Sequence, residues 1–190
     1  MKIFFKKTKI FLIAFFLLLP IIYYLYIYNN FHTVIKNEVY RSKQLNKAEF
    51  IFYIKKYKIK SILNLRGYHP DTTWYKNEIE STKELNVTHY DYGISALHYC
   101  DVAQINNIIS IITNAPKPIL IHCRAGSDRT GLISAVYLYA VAHKSYKEAS
   151  DQLSIKYGHF PYLGNDTIAM DKSFENYIFH CTNKKENVSK

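Results

Sequence analysis

Cysteine, glycine and proline are scarce in this 190-residue chain, and acidic residues are fewer than basic ones. Three scattered cysteines cannot form a disulfide framework, and the absence of a C-x-x-C pair argues against a zinc site. Only 6 Gly and 5 Pro, together with 48% hydrophobic residues, exclude a disordered chain and are enough to bury a core. The length fits one globular domain with an additional terminal segment.

Lysine and arginine total 25 against 15 acidic residues, which gives a formal net charge of +10. Such a balance favours anionic partners, for example phosphorylated substrates or anionic lipid. The basic residues are mostly scattered lysines, and the sequence has neither an arginine-rich stripe nor a groove-reading motif. No nucleic-acid partner is therefore expected.

The N-terminal segment, residues 1–34, predicts a membrane anchor. Four lysines precede a run without Asp, Glu, Lys or Arg that extends from Ile10 to Ile35. The apolar part, Ile10–Tyr28, would span about 28 Å as a helix, close to the thickness of a bilayer core. Tyrosines cluster at its end, where an aromatic belt would lie. A cleaved secretory signal is the alternative, although no small-residue cleavage site follows the apolar run.

The predicted location is accordingly the membrane, with a single-pass N-terminal anchor followed by a globular domain over residues 35–190. The positive-inside rule places the first lysines in the cytoplasm and the globular domain outside it. Basic residues just after the segment, Lys36 and Arg41 among them, weaken this orientation. In an oxidising compartment Cys100 and Cys181 could pair.

From residue 35 onward, short apolar strands alternate with helices that carry capping signals and apolar faces. The predicted elements, in chain order, are strand 38–42, a helix capped by Asn46, strand 59–65, helix 74–86 capped by Thr73, strand 87–92, a helix capped by Asp101, strand 119–122, and helices 132–142, 145–157 and 166–179. Strands separated by helices of this length predict an α/β domain with a mostly parallel central sheet and helices on both faces.

The stretch ILIHCRAGSDRTG, residues 119–131, has the most specific functional pattern in the chain. A buried strand ends at Cys123, a tight loop follows, and an apolar helix begins near Arg129. Successive backbone N–H groups of residues 124–129 can then point at an anion, and the helix N-terminus adds positive potential. Gly126 permits the close backbone approach that such a cradle needs.

Cys123 and Arg129 are the predicted catalytic residues of this loop. The N–H dipoles and Arg129 favour the thiolate form of Cys123, which is the nucleophilic form. The planar guanidinium of Arg129 suits paired hydrogen bonds to phosphate oxygens, and Thr130 can donate to the departing thiolate. His122 is expected to hold the loop through backbone hydrogen bonds. The predicted substrate-binding residues of the loop are Arg124, Ala125, Gly126, Ser127, Asp128, Arg129 and Thr130.

HCRAGSDRTG matches the pattern H-C-x5-R-[ST] and resembles the loop of bacterial, dual-specificity-like members of the cysteine-based protein-tyrosine phosphatase family. The segments VYRSKQL, ILNLRG and KPILIHC extend the resemblance through much of residues 35–180. The resemblance implies a dual-specificity phosphatase-like α/β fold and a two-step reaction through a cysteinyl-phosphate intermediate. It implies no cofactor and no metal.

The resemblance also implies an aspartate general acid upstream of Cys123. Asp101 is the first candidate, although a glutamine three residues later is typical of a helix cap. Asp91 and Asp128 are the alternatives, since Asp91 has a spacing common in the family and Asp128 resembles the loop aspartate of myotubularin-type lipid phosphatases. His98 also stays open.

Arg66 ends strand 59–65 and is a further candidate for substrate binding, or for pairing with Asp128. The predicted function is hydrolysis of phosphate monoesters, with phosphotyrosine first and some phosphoserine or phosphothreonine. The alternative is a phosphoinositide or inositol-phosphate phosphatase, which the Ser-Asp-Arg-Thr sequence, the positive charge and the predicted anchor favour. A non-catalytic phospho-binding module is the remaining hypothesis. The predicted partners are a phosphorylated protein, phospholipid or inositol-phosphate substrate and the membrane.

Overall fold

The computed structural model of the chain describes Phe15, residues 17–19 and residues 28–188, with side chains up to residue 183. The strands are β1 (His32–Ile35), β2 (Val39–Ser42), β3 (Ser61–Asn64), β4 (Thr88–Asp91) and β5 (Ile119–His122). The helices are α1 (Lys47–Tyr57), α2 (Thr73–Glu84), α3 (Val102–Asn114), α4 (Asp128–Ala140), α5 (Tyr146–Ser150) and α6 (Ile168–Val188), with a 3₁₀ turn at Ile155–Tyr157.

The five strands form one sheet in the order β1-β2-β5-β3-β4. β1 is antiparallel to β2, whereas β2, β5, β3 and β4 run parallel to one another. The predicted mostly parallel sheet is therefore confirmed. Because the strands run in one direction, the carboxyl ends of four of them lie at the same edge, where α/β folds commonly bind ligands.

Helices cover both faces of the sheet, as the alternation of strands and helices predicts. On one face, side chains of α3, α4 and α6 pack with alternate strand residues such as Leu63 and Ile121. On the other face, α1 packs with the intervening residues, Ile62 and Leu120 among them. Residues of β3 and β5 are buried on both faces of the sheet, which explains why apolar residues follow one another directly at Ile62–Leu63 and Ile119–Ile121.

Local capping signals set the start of three helices. The side chains of Asn46, Asp101 and Ser145 each accept a hydrogen bond from the backbone N–H three residues later. The side chain at that later position in turn accepts the backbone N–H of the cap residue. A cap of this kind contributes about 1 kcal/mol to helix stability. The predicted cap at Thr73 is wrong, because Thr73 already lies inside α2 and Thr72 occupies the cap position without a side-chain bond.

α5 is shorter than the sequence pattern predicts. It ends at Ser150, and the chain turns through Gln152 before the short 3₁₀ turn. The physical reason lies in a distant strand, because both the carbonyl and the side-chain oxygen of Gln152 accept hydrogen bonds from Arg41, at 2.9 and 2.8 Å.

β1 shows that the end of the uncharged N-terminal run belongs to the globular domain. It pairs with β2, and just before it the buried amide of Asn30 donates to the carbonyls of Ala125 and Tyr157 at 2.9 and 2.8 Å. Most of the predicted anchor in residues 1–34 lies outside the described residues. Within the residues that the structure describes, no helix is long and apolar enough to cross a membrane. The predicted transmembrane helix is therefore unsupported, and the predicted membrane location with a single-pass anchor is wrong on this finding.

Candidate active site

The loop after β5 places Cys123 at the carboxyl edge of the sheet. β5 lies between β2 and β3, and the loop leads directly into α4 at Asp128. Cys123 is only 2% exposed, and the backbone N–H of Gly126 points at its sulfur with a nitrogen–sulfur distance of 3.3 Å. The chain therefore folds back over the sulfur in the manner of an anion-binding loop.

Gly126 is required at this turn because there is no room for a side chain. Its φ is +74°, and a Cβ built on it would lie 2.6 Å from the backbone nitrogen of Lys43. The loop thus packs backbone against backbone on the end of β2, and the N–H of Gln44 donates to the carbonyl of Arg124 at 3.2 Å. Any larger residue at 126 would push the loop away from β2.

Arg129, in the first turn of α4, reaches across the carboxyl edge of the sheet. Its Nη1 donates to the carbonyls of Leu65 and Ile94, at 3.2 and 3.3 Å, which follow β3 and β4. Its Nε and the hydroxyl of Thr130 are buried and have no hydrogen-bond partner within the described part of the chain. Since buried polar groups are normally paired, these two groups fit an anionic ligand held by the loop.

Asp128 begins α4 and is bound to the C-terminal part of the domain through His159. The two ring nitrogens of His159 lie 2.7 Å from Asp128 Oδ1 and 2.8 Å from Asp171 Oδ2, so the ring joins the loop to α6. Burial opposes protonation of the ring, but hydrogen bonds to the two carboxylates outweigh burial and raise the pKa of His159 to about 9. The loop is therefore held by an imidazolium between two carboxylates.

Replacing His159 with Gln should destabilise the protein in a pH-dependent way. The pKa of His159 rises from 6.5 to about 9 on folding, so its contribution is complete below pH 6.5 and disappears as the pH rises through 9. At about 1.4 kcal/mol per pKa unit, the loss below pH 6.5 should be on the order of 3 kcal/mol. Urea unfolding of wild type and variant at pH 6 and pH 10 measures it, with the exposed His98→Gln as control. An equal loss at both pH values would contradict the charged clamp.

The other aspartate candidates also accept hydrogen bonds. Asp91, at the end of β4, accepts from the amide of Asn64 at 2.8 Å and from the hydroxyl of Tyr75. Asp101 is exposed at the N-terminus of α3, where it accepts the N–H of Gln104 at 2.7 Å. The helix cap expected at Asp101 is thus present, and of the three aspartates it is the one most open to solvent.

Arg66 lies beside the loop and is fixed by uncharged groups. Its guanidinium carbon lies 3.4 Å from the ring centre of Trp74, and its Nη1 donates to Gln44 at 2.9 Å. Partial burial, and the positive charges of Arg129 and Arg124, lower its pKa. The alternative pairing with Asp128 does not occur, because that carboxylate is engaged by His159 and Ser127.

A buried network behind the loop was not predicted from the sequence. Nε2 of His122 and Nε2 of His89 both lie within 2.9 Å of Glu78 Oε1, and the amide of Gln44 donates to Glu78 Oε2 at 2.7 Å. Burial opposes ionisation of Glu78, but the two histidines outweigh it and lower the pKa of the carboxyl. His122 is therefore held by a side chain and not by the backbone bonds expected. The sequence signal that could have predicted this network is the position of Glu78, three residues after Tyr75 and therefore on the same, buried face of α2.

Cysteines other than Cys123 lie away from the loop's hydrogen bonds. All three are free, so the optional pairing of Cys100 with Cys181 is not formed. Cys100 is buried at the start of α3, where its backbone N–H donates to Ser173, and burial raises the pKa of its thiol to about 11. Cys123 is thus the cysteine that the loop geometry singles out.

The sequence profile described as the dual specificity phosphatase catalytic domain matches residues 43–161, more than half of the chain. No curated protein matches. Solved structures share the fold. The core catalytic domain of the PP-IP phosphatase SIW14 from S. cerevisiae, in complex with citrate, has a TM-score of 0.62 and 23% identity, covering 83% of this chain and 93% of that one.

Two further structures are similar to this chain. A variant of TpbA from P. aeruginosa in complex with pTyr has a TM-score of 0.61 and 17% identity, covering 80% of this chain and 92% of its own. PTPMT1 in complex with PI(5)P has a TM-score of 0.56 and 12% identity, with coverages of 80% and 98%. At these identities the structures support the fold alone.

Proposed function

The chain belongs to the dual specificity phosphatase family, and from that premise we propose that it hydrolyses phosphate monoesters through a covalent intermediate on Cys123. The observation that carries the proposal is the buried Cys123 sulfur beneath the N–H of Gly126, in a loop whose first helical turn bears Arg129. This arrangement supplies a nucleophile and positive potential at one point.

In the proposed first step, the Cys123 thiolate attacks phosphorus, the bond to the leaving oxygen breaks, and that oxygen takes a proton from a general acid. The loop N–H groups and the free Nε of Arg129 bind the non-bridging oxygens as charge develops on them. In the second step, water gives a proton to the carboxylate that acted as the acid and attacks phosphorus, the phosphorus–sulfur bond breaks, and the thiolate leaves next to the unpaired hydroxyl of Thr130. The products are inorganic phosphate and the free alcohol or phenol.

Asp101 is the proposed general acid. Asp91 and Asp128 each already accept hydrogen bonds from two donors, so both carboxylates are engaged within the domain. Asp101 is more exposed, and it ends the loop whose Ile94 carbonyl contacts Arg129. An acid role predicts that Asp101→Asn loses activity on substrates with poor leaving groups far more than on activated aryl phosphates. Equal losses on both substrate types would remove Asp101 from this role.

Phosphotyrosine is the first proposed substrate, with phosphoserine and phosphothreonine hydrolysed more slowly. TpbA, which shares the fold, has been crystallised as a complex with pTyr. The second candidate is an inositol phosphate or phosphoinositide. Its support is the positive charge of Arg66, Arg124 and Arg129. The latter two lower the pKa of Arg66, and within the described residues none of the three arginines forms an ion pair with a carboxylate. A substrate with more than one phosphate would offset this charge.

A side-by-side assay of the purified full chain on phosphotyrosine peptides and phosphoinositides tests the proposal. We expect turnover of both with a higher kcat/KM on phosphotyrosine, unaffected by excess EDTA because the proposed chemistry needs no metal. A preference of tenfold or more for the phosphoinositide would reverse the order of the two candidates. Absence of turnover on any phosphate monoester would overturn the proposal itself.

A further inference from the structure

Arg41 is a completely buried arginine directly beneath the loop that joins β5 to α4. It lies on β2 opposite Ile121 of β5, with 0% of its surface exposed. Nη2 donates to the carbonyl of Gly126 at 2.6 Å and to that of Ser127 at 3.3 Å. Nη1 donates to the two oxygens of Gln152, so the guanidinium joins the loop to the turn after α5.

No carboxylate forms an ion pair with Arg41 within the part of the chain that the structure describes. Burying an unpaired charge is costly, and burial lowers the pKa of Arg41 to about 10. The titratable groups that face it are Cys123, Asp128, Tyr157, whose ring centre is 4.0 Å away, and His32, whose own pKa burial and the Arg41 charge lower to about 4. Anions on the loop are therefore the groups that its charge can stabilise.

The two loop carbonyls bound by Arg41 determine where the next two N–H groups point. In a trans peptide, the carbonyl of one residue and the N–H of the next lie on opposite sides of the same plane. Holding the carbonyls of Gly126 and Ser127 down on Arg41 therefore turns the N–H groups of Ser127 and Asp128 the other way. That direction leads away from the buried guanidinium.

We propose that Arg41 is a positioning residue of the phosphate site: it orients the N–H groups of residues 127 and 128 toward the bound anion and adds a positive charge behind Cys123. The inference rests on the proposed function of the loop. Lysine cannot replace Arg41 fully, because one ammonium cannot span Gln152 and two loop carbonyls as the planar fork does.

Alkylation of Cys123 tests the proposal without requiring turnover. The alkylation rate with iodoacetate, which is an anion, depends on anion binding by the loop as well as on access to the thiolate. The rate with neutral iodoacetamide depends on access to the thiolate alone. At pH 6, Arg41→Met should lower the iodoacetate-to-iodoacetamide rate ratio at least tenfold and raise the inorganic phosphate concentration that protects Cys123 by a similar factor. Arg41→Lys should fall between Arg41→Met and wild type.

Two further variants separate charge and position from general damage. Gln152→Glu keeps the shape but gives Arg41 a carboxylate at the 2.8 Å position, so it should lower the rate ratio even if Arg41→Met does not fold. Tyr157→Leu removes the stacked ring but leaves the four hydrogen bonds, and should change the ratio less than threefold. Wild-type ratios in Gln152→Glu and in every folded Arg41 variant would overturn the inference. A wild type without turnover, whose phosphate protection still depends on Arg41, would instead overturn only the proposed hydrolysis.

Discussion

Cys123→Ser is expected to abolish turnover of every phosphate monoester while leaving phosphate binding in place. A serine hydroxyl stays neutral near pH 7 and is a poor nucleophile without an adjacent base, so the rate should fall at least about 10⁴-fold. The loop N–H groups, Arg129 and Arg41 are untouched by the substitution. Inorganic phosphate should therefore bind the variant at least as well as it binds the wild type.

Steady-state kinetics and phosphate titration by calorimetry measure the two halves of this expectation. Cys181→Ser is the matched control, because this half-buried cysteine on α6 is not part of the loop, and its variant should keep activity within twofold. Substantial residual turnover in Cys123→Ser would contradict the covalent route. If the wild type itself captures phosphorylated ligands without turnover, the chain is a phospho-binding module.

The strand, the loop and the helix that form the proposed phosphate site could be predicted because their signals are local. β5, Cys123 and Arg129 lie within one short stretch of sequence, and Gly126 marks the turn between them. The same holds for the helices that begin with a capping box, where a cap and its partner are three residues apart. Short-range patterns of this kind are independent of the packing of the rest of the chain.

The groups that support the site could not be predicted, because their partners are distant in sequence. Glu78 is 44 residues from His122, and Arg41 is 111 residues from Gln152. A single glutamate on a helix, or an arginine in a strand, is expected to be a surface residue. Its burial becomes apparent only when the sheet order, with β2 beside β5, is known. The same is true of His159, which is one of eight histidines without metal-ligand spacing. Only its contacts with Asp128 and Asp171 show that it holds the loop.

The end of the predicted N-terminal segment also depends on partners that are distant in sequence. The segment was predicted to extend to residue 34, although His32–Ile35 form β1 and the buried Asn30 donates to the loop carbonyl of Ala125. Hydropathy alone does not distinguish a membrane segment from an edge strand that pairs with β2. The sheet topology makes that distinction, and it is not a local property of the sequence.

Arg129→Lys is expected to lower kcat by about 10²–10³-fold while changing KM much less. Nη1 of the guanidinium donates to the carbonyls of Leu65 and Ile94. Because the guanidinium is planar and rigid, these bonds also fix the direction of its free Nε–H. A lysine ammonium has one nitrogen, so it can satisfy the carbonyls or the phosphate but not both. The interaction lost is one that strengthens as charge spreads over the phosphoryl oxygens, and such losses appear in kcat.

Arg124→Lys provides the comparison, since Arg124 is in the same loop but exposed to solvent. A general effect of arginine on the local potential would affect both variants alike, whereas a fixed geometric role confines the large loss to position 129. Rapid-quench measurement of the cysteinyl-phosphate then shows which step slows. Because the non-bridging oxygens carry the developing charge in both steps, formation and hydrolysis of the intermediate should both slow in Arg129→Lys. Unchanged kcat in that variant would mean that the loop N–H groups and Arg41 suffice to stabilise the reacting phosphoryl group.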